Sequence, residues 1–361
     1  MPAIPDRFED GVLDDLRNRL RATRTVALAG PAGWRRGTDA AYLTDLIAYW
    51  ADGYDWRVHE ERLRALPWIT TGTEGDHGMR AIRQSGAGPT VVLLHGWPDS
   101  FFRFDRVLPL LTELDVVVPC LPGYPWAFPT DPPGMASADM AELVAGGLAE
   151  LGIDRYVVSG GDIGSSVAEY LAAAHPDRVA ALHLTDIPYT HLFTVDQSDL
   201  TDPERDYLKA GREWQMAEGA YALEQATKPH TLAAGLGDSP AGLLAWIAEK
   251  LRSWSDGGGD VESVFARDEL LTWVTLYWVT GTIGTSFAPY SEHAGPADRT
   301  SVPTGVTMFP GDLVPAPRDF AERVFEVRDW RQEPDGGHFG AWERPEAYAA
   351  GLRRAVALAN G

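Results

Sequence analysis

Six short apolar runs limit what this chain can fold into more than any other feature. They are TVVLLHG (90–96), LDVVVPCLPG (114–123), RYVVSGGD (155–162), VAALHLTD (179–186), GVTMFPGD (305–312) and RVFEVRDW (323–330). The first five are continuous and rich in β-branched residues and leucine; the last alternates. Helical patterns lie between several of them, such as MAELVAGGLAELG (140–152) and SSVAEYLAAAHP (165–176). Buried strands that alternate with helices predict an α/β fold, a mostly parallel sheet covered by helices on both faces. A length of 361 residues allows about two domains, or one large α/β domain with additions.

Two stretches break the rhythm. Residues 188–300 hold REWQMAEGAYALEQA, AGLLAWIAEKLRSW, a flexible SDGGGD loop and LLTWVTLYWVTGTIG, with no clear strand. They read as a helical cap, or lid, inserted between the fourth and fifth runs. Residues 1–85 read as helical and then irregular. Leu43, Leu46, Ile47 and Trp50 fall at i, i+3, i+4 and i+7, one apolar helix face. The neighbouring Tyr49, Tyr54 and Trp56 are expected to pack on a larger body, since aromatics mostly serve burial. The expected organisation is an N-terminal arm (1–85), a core (86–187 and 301–361) and a cap (188–300).

Gly160-Gly161-Asp162-Ile163-Gly164 closes one strand and opens the next helix. This small-x-nucleophile-x-small pattern is the elbow of α/β-hydrolases, with aspartate where serine is usual. The glycines answer a turn in which the backbone approaches itself closely. A helix N-terminus at that point favours an ionised carboxylate. Such a nucleophile suits displacement at an sp3 carbon, as in an epoxide or alkyl halide, better than attack on an amide. His95-Gly96-Trp97-Pro98 follows a strand at the place where this fold builds its oxyanion hole. The backbone N–H groups of Trp97 and Ile163 are the expected donors.

Gly336-Gly337-His338-Phe339 follows the last run, so His338 occupies the base position in the order nucleophile, acid, histidine. Asp312 follows the strand TMF and precedes His338; Asp186 ends an earlier strand, and either could be the triad acid, with Asp312 preferred. The other histidines, His59, His77, His175, His183, His191, His230 and His293, lack such a context and read as surface or packing residues. No H-E-x-x-H or similar ligand spacing appears, so neither a metal nor another cofactor is expected.

Thirty-one basic against 52 acidic residues give a net charge of −21. Such a chain repels nucleic-acid phosphates and anionic lipid, so neither is an expected partner. The lone Cys120 excludes an intrachain disulfide and suits a reducing, cytoplasmic location. No stretch of about 18 apolar residues suggests a membrane span. A homodimer is a fair expectation.

Together these pieces resemble the microsomal type of epoxide hydrolase across nearly the whole length. YLTDLIAYWADGYDWRVHEERLRALP resembles the arm found in that group, and HGWP, GGD, FPGDLVPAP and GGHFGAWERPE match in order and spacing. The resemblance implies that Asp162 opens a small-molecule epoxide to a vicinal diol through a covalent ester, which water activated by His338 then cleaves. It implies that Tyr221 and Tyr290, on the lid, hydrogen-bond the ring oxygen as acids. Trp97, Trp126 and Phe128 are expected to line the substrate site. Three positions depart from the family's pattern: Ile163 often gives way to tryptophan, Pro125 to glycine and Asp99 to a small residue. A haloalkane dehalogenase is the rival enzyme, but it needs a side-chain N–H that Ile163 lacks. A silent binding protein on the same fold would not need this whole set of groups.

Overall fold

The computed structural model describes residues 4–30, 33–72, 78–128, 134–292 and 295–360. Its eight strands are β1 (Trp68–Thr70), β2 (Arg80–Gln84), β3 (Thr90–Leu94), β4 (Asp115–Pro119), β5 (Tyr156–Gly160), β6 (Val179–Leu184), β7 (Pro303–Met308) and β8 (Glu326–Gln332). They form one sheet in the order β1-β2-β4-β3-β5-β6-β7-β8. From β4 to β8 every pairing is parallel, and β2 and β1 add on antiparallel. The continuous runs became the central strands: Val91–Leu94, Val116–Val118 and Tyr156–Val158 are all buried. The alternating run became the edge strand β8, whose residues are partly or fully exposed.

Both antiparallel strands lie in the stretch that reads as irregular. β1 has only three residues and β2 carries Arg80, Arg83 and Gln84, so neither presents an apolar run. Their signal is pairing, such as Ile82 opposite Val118, which a single segment does not reveal. Two other runs are trimmed. The strand ends at Met308, leaving Asp312 in a loop, and the residues before β8 belong to a helix, Arg318–Val324.

Helices cover the sheet. Ile163–Ala174 packs on β3, β5 and β6, and Pro345–Leu358 on β6, β7 and β8. Between β6 and β7 the chain forms helices alone among the described residues, including Asp202–Glu218, Ala220–Thr227, Pro240–Ser253 and Arg267–Thr280. These make the cap. The N-terminal helix Ala40–Asp52 buries Leu46 and Trp50 as its apolar spacing predicts. It also grips the cap: Trp50 Nε1 donates to Thr275 Oγ1 at 3.0 Å and Tyr49 Oη to Asp268 at 2.7 Å. Among the described residues no helix is long and apolar enough to cross a membrane.

The remaining histidines fall into place. His183 bonds Ser159 and Thr307 inside the core, and His191 pairs with buried Glu169. His175 bonds Glu142, while His59 stacks on Tyr54. His230 lines a cavity of about 360 Å3 beside the cap. His77 and His293 lie outside the described residues.

Candidate active site

The elbow is as tight as its glycines imply. Asp162 has φ 57° and ψ −130°, a conformation that costs a non-glycine residue strain and clusters at functional sites. Around it there is no room for side chains: a Cβ on Gly160 would lie 2.2 Å from the Gly164 carbonyl oxygen, and one on Gly164 2.3 Å from that of Leu94. The strained residue is held from below, where its N–H donates to Asp186 Oδ2 at 2.6 Å. Ser165 Oγ donates to the other oxygen of Asp186 at 2.5 Å. Asp186 therefore braces the turn and is not bonded to the histidine.

The histidine goes to Asp312. His338 Nδ1 lies 2.7 Å from Asp312 Oδ1, which fixes the ring with Nε2 facing Asp162 Oδ2 at 3.5 Å. The other carboxylate oxygen, Oδ1, accepts the Trp97 N–H at 2.7 Å. Strand order explains the convergence. β3, β5, β7 and β8 are parallel, so the loops leaving their C-terminal ends carry Trp97, Asp162, Asp312 and His338 to one edge of the sheet.

The cap closes over this edge with an aromatic wall. The Tyr221 ring stacks on the Trp97 indole at 5.2 Å between centroids, and Tyr290 meets Trp97 edge-on at 6.1 Å. The two tyrosine rings are 6.0 Å apart. Trp254 touches Tyr221 at 5.0 Å and His338 at 5.3 Å. Several buried polar atoms here have no protein partner: Trp97 Nε1, Tyr124 Oη, Trp254 Nε1 and His338 Nε2.

Charge in the site keeps the Asp162 carboxylate ionised. Burial pushes Asp162 up, but the charge of nearby His338, with the Trp97 and Ile163 N–H groups, holds its carboxyl below its ordinary 3.8. Burial lowers His338, yet the charges of Asp312 and Asp162 outweigh it and push the imidazole up to about 10. Asp186 is pushed up to about 7 by burial and by the Asp312 charge. Burial and the Asp162 charge raise both Tyr221 and Tyr290, so each keeps its proton at neutral pH.

A clasp ties the cap to the base. Four consecutive N–H groups, Gly336 to Phe339, are all taken from outside the sheet. Gly336 donates to Asp256 Oδ2 at 2.9 Å and His338 to the Trp254 carbonyl at 2.8 Å. Gly337 and Phe339 donate to the two oxygens of Glu343 at 3.1 and 3.0 Å, and Glu343 also accepts the Asp256 N–H at 2.7 Å.

Two expected lining residues are not brought to this wall. Trp126 stacks on Phe8 and Phe101 and meets Trp68 edge-on, beneath the arm. Phe128 packs against Gly78, at 3.0 Å from where its Cβ would be. An aromatic in a loop carries no directional signal, and the strands near β1 captured both. Sequence reasoning also passed over Trp254, Tyr124 and Glu343. Trp254 is one of 13 tryptophans and nothing in its local pattern marks it. Among the described residues no group of His, Cys, Asp and Glu is placed to hold a metal ion.

An aspartate elbow under a helical cap defines a member of the α/β-hydrolase-fold enzymes, and the alpha/beta hydrolase fold family model matches residues 89–256. A second model, epoxide hydrolase N terminus, matches residues 5–104. A putative epoxide hydrolase of Stigmatella aurantiaca is 34% identical over 94% of this chain and 81% of its own. Epoxide hydrolase 1 of Sus scrofa is 30% identical over 97% of this chain and 87% of its own. The structure of Aspergillus niger epoxide hydrolase superposes with a TM-score of 0.82 at 29% identity, covering 98% of this chain and 94% of that one. The chain belongs to the epoxide hydrolase family, and it is a hydrolase of epoxides.

Proposed function

We propose that the protein opens small-molecule epoxides to vicinal diols through an ester on Asp162. One observation carries the reading: a single carboxylate has one oxygen on the Trp97 N–H and the other in front of His338, while two phenols pack on the Trp97 indole. Asp162 Oδ2 forms a bond to an epoxide carbon as the ring C–O bond breaks. The ring oxygen takes the electron pair and a proton from Tyr221 or Tyr290, because a free alkoxide is a poor leaving group near neutral pH. His338 carries a proton at rest and returns it to the tyrosinate.

Ester formation changes the base. It removes the Asp162 charge, one of the two charges that hold the His338 proton, so the imidazole loses affinity for it. The neutral ring, oriented by Asp312, takes a proton from water as the water oxygen bonds the ester carbonyl carbon. The oxyanion that forms rests on the Trp97 and Ile163 N–H groups. Collapse expels the diol oxygen, which takes the proton of the new Asp162 acid. Asp162 is again ionised and His338 again protonated. Because Trp97, Tyr221, Trp254 and Tyr290 wall the site, apolar, aryl-bearing epoxides are the substrates of choice.

The test is a single turnover with styrene oxide in heavy-oxygen water. Label is expected in the peptide that carries Asp162, since water attacks the enzyme's carbonyl. Label found in the diol alone would sink the ester route.

A further inference from the structure

A fully buried ion pair lies under the oxyanion loop and takes no part in the chemistry above. Asp99 is 0% exposed and Arg103 1%. Charges taken out of water are costly, and well-packed apolar residues of similar volume are often as stable. Stability is therefore a weak reason for the pair, and its contacts supply a better one. Asp99 Oδ1 accepts the Gly96 N–H at 2.7 Å, next to the Trp97 donor, and Oδ2 takes one arm of Arg103. The other arm of Arg103 donates to the main-chain carbonyl of His338 at 2.6 Å. One planar fork thus spans the oxyanion loop and the loop of the base. Its Nη2 also abuts the elbow, 3.2 Å from where a Cβ on Gly161 would sit. The cap helix Arg267–Thr280 buttresses the same loop: Tyr277 Oη donates to the Asp99 carbonyl at 2.8 Å and Trp273 Nε1 to the Pro98 carbonyl at 2.7 Å.

We propose that Asp99 and Arg103 are positioning residues for ester hydrolysis, holding the Trp97 N–H and the His338 ring in register across the Asp162 carbonyl. The proposal rests on the ester reading above. Ester formation draws on Asp162, held by the elbow and the Trp97 N–H, and on the two phenols of the cap, and it does not need the His338 ring aimed at a water. Hydrolysis also needs the base to aim water at a carbonyl whose oxygen Trp97 holds, and these are the two loops the fork joins. A misplacement of about 1 Å costs such a step about 100-fold. Lysine is a point charge and does not reproduce a planar fork that serves two acceptors at once.

The experiment follows ester formation and ester decay separately, by rapid quench with styrene oxide and intact mass of the protein. Arg103→Lys keeps the buried charge balance. It is expected to form ester within about threefold of the parent rate and to lose it about 10- to 100-fold more slowly. The double variant Asp99→Asn/Arg103→Gln is neutral, leaves no unpaired charge, and is expected to show the same split. If the parent forms ester and both variants lose it at the parent rate, the positioning role is overturned while the ester reading stands. Equal slowing of both steps, together with a lowered Tm, also overturns it and leaves a structural pair. A parent enzyme that never forms ester removes the ester reading and this proposal with it.

Discussion

Gly96 stands where the oxyanion loop passes the nucleophile, and its replacement by alanine has a calculable effect. A Cβ there would lie 2.3 Å from Asp162 Oδ1 and 2.5 Å from Asp162 Cβ. Ordinary carbon–oxygen contacts are about 3.3 Å or longer, so roughly 1 Å of clearance is missing. The crowded oxygen is the one that accepts the Trp97 N–H at 2.7 Å. Relief must therefore move either the carboxylate off its donor or the donor off the carboxylate. A displacement of about 1 Å at a reacting group costs about 100-fold in rate, or about 2.7 kcal/mol of barrier. Gly96→Ala should thus lower single-turnover ester formation from styrene oxide by about that factor. Gly146→Ala is the control. It lies in the helix Ser137–Glu150, and its Cβ would meet nothing within 4 Å. That variant should keep full activity and gain roughly 0.5–1 kcal/mol of stability. If Gly96→Ala reacts as fast as Gly146→Ala, the close approach of loop and nucleophile has no bearing on catalysis and the reasoning fails.

Other variants separate the two steps. His338→Gln should form ester and hold it, seen as a stable mass adduct at Asp162; an inactive protein without adduct would place His338 outside the hydrolytic step. Tyr221→Phe and Tyr290→Phe together should slow ester formation by roughly 100- to 10,000-fold, the usual worth of a general acid, while preformed ester decays at the parent rate. Asp312→Asn should slow ester decay by up to roughly 10,000-fold because the ring loses its orienting partner; a mild effect there, with a large one for Asp186→Asn, would reverse the roles of the two acids. His338 is pushed up from 6.5 to about 10, so its contribution to stability is complete below pH 6.5 and is lost as pH rises through about 10. The Tm difference between the parent and His338→Gln should shrink across that window, and a constant difference would contradict the ion pair.

Asp162 and His338 were legible because each sits in a short motif with a backbone requirement, whereas Tyr221 and Tyr290 came only from the family resemblance. Gly160, Gly161 and Gly164 announce a turn that no other residues fit, and His338 follows its own pair of glycines. The choice between Asp312 and Asp186 was open in the sequence because each follows an apolar run. In three dimensions the two differ: Asp186 turns under the elbow to take the Asp162 N–H, and Asp312 reaches Nδ1 of His338. Asp99 stood out only as a departure from pattern. Its sense lies in Arg103, four residues on, a partner that charge alone did not single out among 31 basic residues. β1 and β2 escaped notice because short, arginine-bearing strands are specified by what they pair with. Trp126 and Phe128 misled because size and apolarity predict burial but not which cavity is filled.

The clasp between residues 254–256 and the loop of His338 bears on how this enzyme can be rebuilt. A lid hinged to swing wide would pull His338 out of line with Asp162 and Asp312 with each opening, because Trp254, Asp256 and Glu343 hold the strap on which it sits. A chimera that imports another relative's lid needs to bring the matching latch with it, or it will receive a new pocket and forfeit the second half of the reaction.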